Sequence, residues 1–98
     1  VFVIPPEFSL AIEPDVRVSI FPMAQGQIES QGLYWPTTGL IFAPNGQIGT
    51  SNKSIGNIRL TPDGPNMIGI LPIGYFDQVL DALLAASKWP TPEAQAST

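Results

Sequence analysis

Apolar and polar residues alternate with a period of two through most of the chain up to Gly74, and proline or glycine interrupts the alternation every few positions. Phe8, Leu10 and Ile12 fall on one side of such a run, with Ser9 and Ala11 on the other. Glu13-Pro14-Asp15 has turn chemistry. Val16, Val18 and Ile20 then resume the pattern, with Arg17 and Ser19 between them. Strict alternation marks a half-buried strand. The two runs are therefore predicted to form an antiparallel hairpin. Pro5-Pro6 separates them from Val1–Ile4, which is expected as an edge strand or, over Val1–Pro6 as a whole, an N-terminal arm. An unpaired apolar strand invites a partner chain, so Val1, Phe2, Val3 and Ile4 are interface candidates.

From Gln25 to Gly32 the chain is polar and predicts a loop with at most a short strand inside. Gly39–Ala43 is a strand candidate, closed by Pro44-Asn45-Gly46. Proline presets φ there, and Asn and Gly tolerate a left-handed backbone. Gln47–Thr50 is predicted to leave that turn as a short strand, and Ser51–Ser54 to form a second loop. Ile55–Thr61 follows as a strand with Ile58 and Leu60 on one face. Pro62-Asp63-Gly64 repeats the earlier turn and leads to a last strand, Met67–Leu71. Two successive hairpins are implied.

The period then changes. Phe76, Val79, Leu80, Leu83 and Leu84 stand at i, i+3, i+4, i+7 and i+8, a single apolar helical stripe. A helix over about residues 75–88 is predicted, its stripe buried on the sheet. Ala82, Ala85 and Ala86 lie on the other side and are small enough for close approach of a neighbouring subunit. Trp89-Pro90 stops the helix, because the residue before proline avoids helical backbone. Residues 90–98 read as a proline-containing polar tail. The expectation is one domain over residues 1–89 of class α+β, mostly β. Antiparallel hairpins form a small sheet or sandwich, with one C-terminal helix packed on it.

Composition narrows the chemistry. There is no histidine and no cysteine, and the cations are Arg17, Lys53, Arg59 and Lys88. Serine–histidine pairs, cysteine nucleophiles and histidine or cysteine metal sites cannot be written. No phosphate or dinucleotide loop is present. The expectation is a non-enzyme with no catalytic residue, cofactor or metal. Glu13 and Asp15 read as turn formers more than as an acid–base pair. Charged residues make up 12 %, about half the usual share for a globular domain, as on exported proteins and subunits of assemblies. With a net charge of −4 and no basic cluster, nucleic acid is not an expected partner. The apolar runs are too short for this segment to insert directly into a membrane. The first residue is Val1, not Met, which suggests a fragment or processed product. Tyr34-Trp35, near Phe42, reads either as an aromatic platform for sugar or peptide or as an edge of the core. Asn52-Lys53-Ser54 is a formal glycosylation sequon.

The stretch from Thr37 to Gly74, with Ile41–Gly46, Ile58–Leu60 and Met67–Gly74 as its elements, resembles the soluble domain of GspH/FimT-type minor pseudopilins. The family's N-terminal hydrophobic helix lies outside these 98 residues, as truncation would explain, and the helix after Gly74 is an addition to its pattern. The resemblance implies a structural subunit of a secretion pseudopilus or type IV pilus. It would be extracytoplasmic in bacteria, with other protein subunits as partners. The composition fits two further readings: an accessory or decoration subunit of another large assembly, such as a viral particle, or a small ligand-binding β module.

Overall fold

The computed structural model describes residues 1–44 and 51–90. The strands are β1 (Phe2–Val3), β2 (Phe8–Leu10), β3 (Arg17–Pro22), β4 (Ile28–Leu33), β5 (Ser51–Pro62) and β6 (Met67–Ile70). A 3-10 turn, Ile73–Tyr75, leads into helix α1 (Phe76–Ala85). The strands form one curled antiparallel sheet in the order β1-β6-β3-β5-β2, and β4 pairs along the other edge of β5. The class is α+β, mostly β, with one C-terminal helix on the sheet.

The alternating positions are the ones that bury. Phe8 and Leu10 of β2, Val18 and Ile20 of β3, and Ile58 and Leu60 of β5 all face one core, which Ile28, Phe42 and Met67 complete. Curling lets the strands themselves close most of that core. Val79 is the α1 residue that is fully part of it, with Tyr75, Ala82 and Leu83 packed at its margin.

Two of the predicted hairpins do not form: Phe8–Ile12 does not pair with Val16–Ile20, nor Ile55–Thr61 with Met67–Leu71. Phe8–Leu10 pairs with Ile58–Leu60, and Arg17–Ser19 pairs with Ser51–Lys53. Both runs are antiparallel to β5 on the same edge, so they continue one another along it. Glu13-Pro14-Asp15 is consequently an outward bulge between two collinear strands. Ser54 holds that bulge: its hydroxyl donates to the Glu13 carbonyl at 2.6 Å and accepts from the Val16 N–H at 3.0 Å. The Asp15 N–H donates to the Ser54 carbonyl at 2.8 Å, and Asp15 adopts φ 66°. The last two strands, β5 and β6, are likewise separated by β3, which pairs with both.

Ser51–Ser54, expected as a loop, is the start of β5. Its polarity misleads because Asn52 and Ser54 point inward and bond to loop backbone. The Gln25–Gly32 region yields a full strand, β4, whose Glu29 and Gln31 face out, while Ser30 is half-buried and accepts from the Thr37 N–H at 2.9 Å. Gly39–Ala43 is not a strand; Phe42 makes one isolated bridge to Gly26. The expected turn and strand at 45–50 lie outside the described residues, as does the tail from 91 onward.

Of the two expectations for the N-terminus, the edge strand is what forms, and Val1–Pro6 is not an arm. Phe2 and Val3 pair with Gly69 and Ile68, and Ile4 and Pro5 are buried. The Ile4 N–H donates to the Met67 carbonyl at 2.9 Å, and the Trp89 indole N–H donates to the Ile4 carbonyl at 2.8 Å. Proline stops regular pairing after Ile4, but the aliphatic side chain before it still fills the core.

Candidate functional site

The helix presents the first candidate surface, and it lies opposite to expectation. Phe76, Leu80 and Leu84 recur every four residues, yet they are 61 %, 43 % and 69 % exposed. The large half of the apolar stripe faces outward. The alanine edge instead runs beside β2, where Ala82, Ala85 and Ala86 share a shallow crevice with Glu7 and Ser9. The core is already filled by strand residues, so it accepts from α1 only Val79 and small or marginal side chains. Ala82 and Ala86 are half-buried in the domain and are withdrawn as a free subunit face; Ala85 is exposed.

The outward stripe is continuous with other apolar residues. Ile73, in the turn before α1, is 91 % exposed. Together with Val1, Phe2, Leu71, Phe76 and Leu80 it walls a groove of about 180 Å³ between α1 and the β1 edge. Of the N-terminal candidates, Val1 and Val3 are exposed at this end of the sheet. Phe2 packs on Phe8 with ring centroids 5.0 Å apart and lies over Gly69, where a Cβ would strike its ring. Ile4 is fully buried and leaves the set.

Tyr34 and Trp35 form the second surface, and they face outward, 53 % and 56 % exposed. Successive strand residues normally point to opposite faces. The strand geometry ends one residue earlier, at Leu33, after Gly32 (φ 83°) has shifted the register against β5. Both rings can then lie on one side, edge to face, with centroids 4.6 Å apart. Asn52, 4 % exposed, fixes this corner. Its carbonyl oxygen accepts from the Trp35 N–H at 3.1 Å, and its amide donates to the Trp35 carbonyl at 2.6 Å. Burial and these bonds also remove Asn52 from use as a glycosylation site. Lys53, between the buried Asn52 and Ser54, points out. Its Nζ lies 4.5 Å from the Tyr34 ring centroid and 3.8 Å from the Asp15 carboxylate. No sequence motif links Asp15 to Tyr34. Only the collinear arrangement of β2 and β3 brings them to one place.

The two carboxylates of the bulge diverge. Asp15 faces Lys53, whereas Glu13 accepts the Tyr75 hydroxyl at 2.6 Å. That hydrogen bond, with smaller contributions from burial and the carboxylate charge, raises the Tyr75 pKa above its ordinary value of 10.0. Among the described residues, no three carboxylates gather as a metal site would require, and no helix is long and apolar enough to cross a membrane. Compared with protein-family models, characterised proteins and solved structures, the chain has no match.

Proposed function

We propose that this domain is a non-enzymatic subunit of a larger protein assembly, and that it joins its neighbouring subunits through the outer face of α1 and the β1 edge. The outward stripe of Phe76, Leu80 and Leu84 carries this reading. A contiguous exposed apolar surface costs solubility and marks a protein contact. Here it has the features of an interface core: an aromatic, branched aliphatics, and a groove beside it. Asp77 and Asp81 flank the stripe along one side of α1, and Lys88 follows the helix; all three are exposed. The β1 edge next to the groove offers backbone groups for strand addition. The resemblance to minor pseudopilins supports an extracytoplasmic filament as the assembly, since those subunits are also small, rich in proline and glycine, and without catalytic groups.

The test is a Phe76→Asp, Leu80→Asp double variant expressed from the native gene. The expected result is a folded protein that no longer copurifies with the assembled particle or filament. Incorporation at the wild-type level would remove this face, and with it the proposal.

A further inference from the structure

The Tyr34–Trp35 corner is remote in role from the helical face, and the fold commits unusual resources to it. Three consecutive residues of β5 serve it. Asn52 is buried, and its amide bonds both backbone groups of Trp35. Ser54 is fully buried, and its hydroxyl bonds both sides of the Glu13–Val16 bulge. Lys53 lies between them and spans the gap from Tyr34 to Asp15. Buried polar side chains are costly unless fully bonded, so they are poor choices where an apolar residue would serve. Asp15 is also the one non-glycine among the described residues with a left-handed backbone, at φ 66°. Strain of that kind is kept where a side chain has to be held in place.

The surface so built has an exposed indole, a second ring edge-on to it, an ammonium donor and a carboxylate acceptor. The indole and phenol polar groups have no partner of their own among the described hydrogen bonds. We infer that this corner is a saccharide-binding site, taking one pyranose ring of a neutral oligosaccharide. The flat C–H face of such a ring stacks on Trp35. Its hydroxyls both donate and accept, so they match the Asp15 carboxylate and the Lys53 ammonium together. A net charge of −4 disfavours acidic glycans. A proline-rich peptide needs an aromatic-lined groove, whereas these rings stand edge-to-face on the surface, with the Lys53 ammonium 4.5 Å from the Tyr34 centroid and 6.0 Å from that of Trp35.

The experiment screens the intact protein on an oligosaccharide array that includes cellohexaose, chitohexaose and oligogalacturonate. Binding to the best soluble probe is then measured by titration calorimetry in the wild type and both variants, and the shift of the Trp35 indole N–H resonance places it at this corner in the wild type and in Asp15→Gly. Saturable binding of a neutral probe is expected, at least about tenfold weaker in Trp35→Ala, as for other rings stacked on aromatic side chains. Asp15→Gly suits the left-handed backbone and removes the carboxylate together with its Cβ. It should match or exceed the wild type in thermal stability while binding several-fold more weakly. The inference fails if no neutral probe binds at 10 mM (roughly the weakest affinity of use), if both variants bind like the wild type, or if a proline-rich peptide alone shifts the Trp35 resonance. Because α1 is untouched, none of these results bears on the assembly reading.

Discussion

Gly32 shows how much one residue decides. It lies at φ 83° where β4 slips its register on β5, and a Cβ there would collide with the Asn57 carbonyl oxygen. Ile28 to Gln31 pair in regular register with Pro62 to Arg59; Leu33 then pairs with Ser54, so β5 carries the extra residues. No side chain could fill the space, because backbone already occupies it. Gly32→Ala is expected to destabilise the fold by about 2–4 kcal/mol, combining a left-handed backbone penalty with the collision. Chemical denaturation checks it; a loss below about 0.5 kcal/mol, the range of an ordinary surface change, would mean that the bulge relaxes freely. The sequence shows the glycine but not the carbonyl it faces.

At the scale of elements, α1 separates two quantities that its sequence runs together: apolarity and burial. Its spacing identifies the helix, and Val79, Leu83 and Leu80 look alike within the stripe. The structure buries Val79, half-buries Leu83 and exposes Leu80, Phe76 and Leu84. Val79→Ala should therefore cost about 1–3 kcal/mol through the lost methyl groups and the cavity left behind. Leu80→Asp should change stability by less than about 1 kcal/mol, as for other surface positions. Denaturation midpoints of the two variants provide the check. The reverse ranking would place the whole stripe on the sheet, and the outer face would cease to be an interface candidate.

Across the whole molecule, a few long-range bonds close the fold. Trp89 ties the segment after α1 to Ile4, 85 positions away. Tyr75 ties the entry of α1 to the Glu13 bulge, 62 positions away. The second tie has a pH signature. The folded Tyr75 holds its proton more tightly than the unfolded residue, so its contribution is complete below the ordinary value of 10.0 and is lost as pH rises through the higher folded value. A Tyr75→Phe variant should fall below the wild type in thermal stability near neutral pH and converge with it in alkali. In ultraviolet titration, Glu13→Gln should lower the pH at which Tyr75 ionises. An unchanged titration would show that Glu13 does not face Tyr75 in solution.

Several features were fixed by local chemistry and so were legible in the order of residues. Alternation marked Phe8, Leu10, Val18, Ile20, Ile58 and Leu60 for one core, because a strand's two faces differ whatever it pairs with. The change of period at Phe76 marked the helix for the same reason. Pairing was not legible. The turn residues at Glu13-Pro14-Asp15 suit a hairpin and a bulge equally, and only β5, contributed from some forty positions away, selects the bulge. The polar run at Ser51–Ser54 resembled a loop because a sequence does not say where its hydrogen-bond partners will come from. The direction of the apolar stripe depended on how much core the curled strands had already filled. The corner that joins Asp15, Tyr34, Trp35 and Lys53 belongs wholly to the tertiary structure: its residues come from three separate parts of the chain, and only strand order makes them neighbours.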